Sequence, residues 1–134
     1  MAYTYCIAPA DRLAHLTFTG TVTGHELGRA LTALYEDLDW RAGYNTLWDF
    51  RAIRQLLLDP RDFQALARLD FAFMDRAGAG RDALLAARSL DLAMGRLFIH
   101  AARNAPRPSA LFDAEPDARA WLTQAERYAY RMAA

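Results

Sequence analysis

The chain has no lysine, one cysteine, three histidines, two serines and no excess of either charge, and each shortage removes a class of function. Cys6 alone forms no internal disulfide and completes no zinc site; lying in the first apolar run, it reads as a small core residue. His15, His25 and His100 are widely separated, with no i, i+4 ligand pair among them. Ser89 and Ser109 both lie outside any Gly-x-Ser-x-Gly elbow. Sixteen acidic residues balance sixteen basic ones, so no net field draws the chain toward nucleic acid or anionic lipid. No apolar run approaches the ~20 residues of a membrane span. The opening Met1 to Tyr5 has no basic stretch leading into an apolar one, so the expectation is a cytoplasmic protein without stable membrane insertion.

What is abundant is apolar: 54% of 134 residues, enough for one domain with a sizeable core. All basic residues are Arg, which fits either guanidinium recognition of phosphates and carboxylates or a GC-rich genome, as the excess of Ala also suggests. Tyr3 to Ile7 and Leu13 to Thr19 are β-rich runs around the turn Pro9-Ala10-Asp11-Arg12, and predict a hairpin with Leu16 and Phe18 facing the core. Gly20 and Gly24 punctuate its exit. From Gly24 to Leu38, Leu27, Ala30, Leu31, Leu34 and Leu38 recur at spacings of three and four, which predicts a helix with one buried face. Asn45 to Phe50 reads as a short strand buried on both faces. Asp59-Pro60 opens a second helix to about Arg76, since Asp is a favoured N-cap and Pro suits the first turn. Asp82 to Arg88 reads as a strand, Ser89 as the cap of a third helix to about Arg103, and Ser109 to Phe112 as the last strand. Glu115 to about Arg131 reads as the last helix, with Ala118, Trp121, Leu122 and Ala125 inward. Strands alternating with helices predict right-handed crossovers and a mainly parallel sheet.

The run Leu16-Thr17-Phe18-Thr19-Gly20-Thr21-Val22-Thr23 before an amphipathic helix resembles the opening of STAS domains, the fold of sporulation anti-sigma factor antagonists and sulfate-transporter tails. Trp48-Asp49-Phe50, the helix begun at Asp59, and Gly95-Arg96-Leu97-Phe98 keep the same order. The resemblance covers nearly the whole chain and is strongest to the uncharacterised bacterial SpoIIAA-like, or STAS/CRAL-TRIO-like, branch. It implies an α/β, SpoIIAA-like fold: a mainly parallel five-stranded sheet in the order β-β-α-β-α-β-α-β-α, the antiparallel first strand at or near an edge. Residues 1–134 then form a single domain, with those after about 126 expected as an extension of the last helix. The family's phosphorylatable Ser or Thr follows an Asp at the second helix, but Pro60, without a hydroxyl, stands there after Asp59. Asp59 reads either as a built-in negative mimic or as an N-cap.

Two constellations remain beside a glycine turn. Gly78-Ala79-Gly80-Arg81 precedes a strand and reads as a turn instead of a phosphate cradle. At the carboxyl ends of the strands, Asp49 with Arg51, Arg88 with Ser89, and Asp113 form either a solvated rim or an anion site, with Arg88 at a helix N-terminus and Arg51 as second contact. Asp49 beside Arg51 also reads as a local ion pair. On the second and third helices, Phe63, Leu66, Leu69, Phe71, Phe73 and Met74, then Met94, Leu97, Phe98 and Ile99, exceed one apolar stripe. The surplus at Phe71, Phe73, Phe98 and Ile99 fits a homodimer or protein-partner interface, an apolar small molecule or lipid, or packing between the helices. The sequence therefore predicts a non-enzymatic STAS-like interaction or regulatory module with no cofactor, the alternative being an apolar-ligand or lipid-binding domain.

Overall fold

The computed structural model describes residues 2–105 and 107–123. β1 (Tyr3–Ala8) and β2 (Leu13–Thr23) form an antiparallel hairpin around a 3-10 turn at Pro9–Asp11. Then follow α1 (Gly24–Glu36), β3 (Asn45–Leu57), α2 (Pro60–Ala72), the short α3 (Met74–Ala77), β4 (Asp82–Leu85), α4 (Ser89–Ala101) and β5 (Ser109–Phe112). Residues 115–123 form α5 as far as the chain is described. The expected continuation to Arg131, with Ala125 inward, lies outside the described residues. The sheet runs β1-β2-β3-β4-β5, with every pair parallel except β1 with β2.

Alternation along the strands divides the core between two sheet faces. Ala14, Leu16 and Phe18 of β2 and Trp48 and Phe50 of β3 face α1, α2 and α4 and join Leu27, Leu31, Leu34 and Leu66. Phe18 stacks on Phe50 with ring centroids 4.7 Å apart. Residues of opposite parity, Leu47, Ala83 and Leu85, pack instead with Ala118 and Leu122 of α5. Each of the fully buried Leu and Phe side chains contributes about 1.5–3 kcal/mol by leaving water.

Where the elements depart from expectation, local chemistry gives the reason. β3 is no short strand but runs on to Leu57, because two bulges let it stay paired with β2 through Thr23↔Leu57. At the first bulge Asp49 Oδ1 accepts from the backbone N–H of Arg51 (3.1 Å), satisfying a donor that the ladder loses there. β2 likewise passes through Gly20, whose φ of +69° suits a residue without Cβ at the second shift. β4 stops at Leu85, short of the expected Arg88, since its neighbour β5 offers only residues as far as Phe112. α1 ends at Glu36, where the Asp37 carboxylate accepts from the Asp39 N–H (2.9 Å) and the Tyr5 hydroxyl (2.6 Å), leaving Leu38 exposed. That shared hydrogen bond pushes the Tyr5 hydroxyl up to about 12 and holds Asp37 below its usual range. α2 breaks at Phe73, which turns onto Tyr35 with centroids 5.6 Å apart. Cys6 is exposed, not a core residue: on edge strand β1 the inward positions are Tyr3, Tyr5 and Ile7. Ser89 is the first helical residue of α4; Arg88 occupies the N-cap and makes no side-chain cap bond.

Candidate functional site

The sheet order bears directly on where a ligand fits. Strands β2 to β5 lie in sequence order and α1, α2 and α4 pack on the same face, so no reversal opens the crevice that doubly wound sheets use at their carboxyl edge. The residues expected at that edge are committed internally. Arg51 donates through Nε to Asp49 Oδ1 (3.0 Å), through Nη2 to Asp49 Oδ2 (2.8 Å), and on to Glu115 Oε1 (2.7 Å), which pins α5 to β3. Burial pushes Asp49 up, but these bonds outweigh it and hold the carboxyl below its usual range; His15 Nε2 lies 3.4 Å from its Oδ2. Arg88 donates to both oxygens of Asp91 (2.6 and 3.0 Å) and to the Arg54 carbonyl. The buried Asp91 thus supplies, in the first turn of α4, the negative charge that a bound anion was expected to bring. Arg51 and Arg88 belong to separate ion pairs, of which Asp49–Arg51 is the local pair read from the sequence; they do not converge with Ser89 on one site.

At α2, Asp59 Oδ1 accepts from the Asp62 N–H (2.9 Å), while Asp62 Oδ2 accepts from the Asp59 N–H (2.9 Å). This reciprocal capping box, with Pro60 at the first turn, gives Asp59 a structural role where the resemblance places the phosphosite. Asp59→Ala is expected to cost about 1 kcal/mol in urea unfolding. An unchanged midpoint would remove the capping role.

Two polar groups that sequence reading passed over organise the interior. Arg107 is buried and donates through Nε to Asp82 (3.0 Å) and through its terminal nitrogens to the carbonyls of Ala77 (3.0 Å), Gly78 (3.2 Å), Tyr44 (2.8 Å) and Arg81 (3.3 Å). Asp82 also accepts from Thr46 Oγ1 (2.5 Å), itself the acceptor for Trp48 Nε1 (2.8 Å). Burial works against the Arg107 charge, but Asp82 together with Tyr35 and Asp70 outweighs it and the pKa is raised. The clamp explains Gly78-Ala79-Gly80: Gly78 has a φ of +76° and lies against the Gly43 backbone, leaving no room for a Cβ. This segment is the turn expected from its position.

The second group is Asp70. Between the sheet and α1, α2 and α4 lies a cavity of about 70 Å³, lined by Leu27 and Leu31 of α1, Phe50 of β3, Leu66 and Asp70 of α2, Met94 and Phe98 of α4, and Leu111 of β5. The space accommodates several water-sized groups, since about 10–15 Å³ on this measure holds one. A surface groove of about 200 Å³ between α2 and α4, lined by Phe63, Phe71 and Phe98, shares Asp70 with it. Gly95 brings α4 close to β5: a Cβ there would lie 2.8 Å from Leu111 Cδ1. No described residue hydrogen-bonds the Asp70 carboxyl. Burial, reinforced by Asp82 and opposed by Arg107, pushes it up to about 7.

The expected apolar surplus separates accordingly. Phe71 is 67% exposed, but Phe73 packs on Tyr35, Phe98 packs on Phe63, and Ile99 is only partly exposed. Sequence reading missed Leu90 as an exposed apolar group, and with Leu97 it is more than half exposed on α4. Among the described residues no cluster of His, Cys, Asp and Glu is arranged to hold a metal, and no helix is long and apolar enough to cross a membrane.

The whole chain compares well with a solved structure, an uncharacterized protein from the DUF3478 family with a SpoIIAA-like fold from Shewanella loihica PV-4. The match has a TM-score of 0.60 and covers 90% of this chain and 94% of that one, at 18% identity. This chain has the SpoIIAA-like fold. The SpoIIAA-like architecture expected from residues 16–23 and the elements after them is therefore the observed one. No known family matches the sequence, and no curated protein does.

Proposed function

We propose that this STAS-like domain is a non-enzymatic binding module that takes a small apolar molecule into the cavity beneath α1, α2 and α4. The observation that carries the reading is the cavity itself: an interior space walled by Leu31, Phe50, Leu66, Phe98 and Leu111, sharing Asp70 and Phe98 with the α2–α4 groove. Concave, mostly apolar sites with a few convergent polar groups are the usual form of small-molecule pockets. No chemical step is part of the reading. A regulatory role through phosphorylation at the start of α2 is not part of it either, because Pro60 offers no hydroxyl and Asp59 is engaged in the cap.

Thermal unfolding with hexan-1-ol tests it. The alcohol is expected to raise the midpoint of the wild-type protein and not that of Ala86→Leu, which adds bulk at a cavity wall. An equal response in the two proteins would place the binding elsewhere.

A second reading, a homodimer or protein-partner surface, is favoured by the exposure of Phe71 on α2 and of Leu90 and Leu97 on α4. Sedimentation at micromolar concentration is expected to show a dimer that Leu97→Glu disperses. A monomer throughout that range contradicts this reading and leaves the cavity untouched.

A further inference from the structure

We infer that the molecule taken into the cavity is a cationic amphiphile, a primary amine on a short apolar body, whose ammonium group pairs with Asp70 while the body lies among Leu31, Leu66 and Phe98. The inference rests on the cavity reading and adds the chemical class of the ligand. Asp70 lines both the interior space and the surface groove, so a head group held there leaves its apolar tail to the interior space. A molecule apolar throughout would strip water from that partly exposed carboxylate and leave it unpaired, which is costly. A carboxylate ligand would add like charge beside it.

The surrounding charges select the same sign. From the elements packed around Asp70 the charged or titratable neighbours are Tyr35 of α1, Asp82 of β4, Arg107, and Asp91 of α4 across the cavity. Arg107 is spent on Asp82 and four backbone carbonyls, and Asp91 is held by Arg88. Each of those arginines has a nearer carboxylate, so Arg107 opposes the rise of the Asp70 pKa without outweighing it, and no described residue hydrogen-bonds Asp70. No Arg side chain lines the cavity, whereas Phe50, Trp48 and Phe98 present aromatic rings to it, surfaces that also attract an alkylammonium group. Burial raises the pKa of Asp70 to about 7, so an ammonium ligand, which requires the ionised carboxylate, binds more tightly as pH rises through that value.

Isothermal titration at about pH 8, where Asp70 is ionised and an alkylamine is still protonated, compares hexylamine, hexan-1-ol and hexanoate on the full chain. Hexylamine is expected to bind about tenfold or more tightly than hexan-1-ol, as a charge-assisted hydrogen bond implies, with hexanoate the weakest. In Asp70→Asn the amine's preference over the alcohol is expected to fall to about onefold. Equal binding of amine and alcohol by the wild-type protein overturns the inference but keeps the apolar cavity. So does a preference that survives in Asp70→Asn. Failure of all three to bind overturns the cavity reading as well. The wild-type comparison stands even if the variant does not fold.

Discussion

Replacing Arg107 with Met is expected to destabilise the protein by about 3–5 kcal/mol, the scale for breaking a buried ion pair by removing one partner. Methionine keeps most of the volume but none of the donors. The Asp82 carboxylate then keeps only Thr46, and the carbonyls of Ala77, Gly78, Tyr44 and Arg81 lose the guanidinium that joins the α3–β4 turn to the loop before β3. Lys in its place restores a charge but not the planar set of five donors, so Arg107→Lys is expected to recover only a minor part of the loss. Urea unfolding reads both effects, provided the slope with denaturant is unchanged. A loss below about 1 kcal/mol in Arg107→Met would mean that the clamp is no more than an exposed ion pair in effect.

The pH dependence of stability is expected to change sharply in Asp70→Asn. The carboxyl's pKa is about 7 in the folded protein against an ordinary value of 3.8, so between these values the native state keeps a proton that the unfolded chain has released. The contribution of Asp70 to stability is therefore fully present below the lower value and is lost as pH rises through the upper one. Asparagine has no proton to lose. Relative to wild type, the variant is expected to gain stability between about pH 4 and pH 8, by at most about 4 kcal/mol at 1.36 kcal/mol for each unit of pKa. Unfolding midpoints measured across that range check the sign. Parallel curves for the two proteins would show that Asp70 is solvated and that its carboxyl is not held away from charge.

Much of the fold was legible because periodicity reports burial. The alternation of Leu16 and Phe18 and the spacing of Leu27, Ala30, Leu31 and Leu34 reflect contacts made by each element with the sheet or the layer above it. Boundaries were less legible where a tertiary partner sets them. The stretch Arg51 to Gln55, with three polar residues around Ala52 and Ile53, carries no clear strand alternation of its own, yet β2 keeps it in the sheet through two bulges. The polar site was harder to read. Asp70 lies four residues after Leu66 and three before Phe73, on the inward stripe of α2, and an acid in that register is a signal that was available. Arg107 carried no such signal, because its partners come from segments distant in sequence and a basic residue in a connecting stretch has no periodicity. The rim was legible in part: Asp49, two residues before Arg51, forms the local ion pair that the sequence suggested, whereas the pairing of Arg88 with Asp91, three residues on, was not read.

The central claim, that the space beneath the helices receives an apolar molecule, is tested most directly by intermolecular nuclear Overhauser contacts between hexan-1-ol and the methyl groups of the protein. Contacts from the alkyl chain to Leu31, Leu66 and Leu111, with the hydroxyl end near Asp70, are the predicted result. Contacts confined to exposed side chains such as Leu90 and Leu97, with none to those three leucines, would contradict the account.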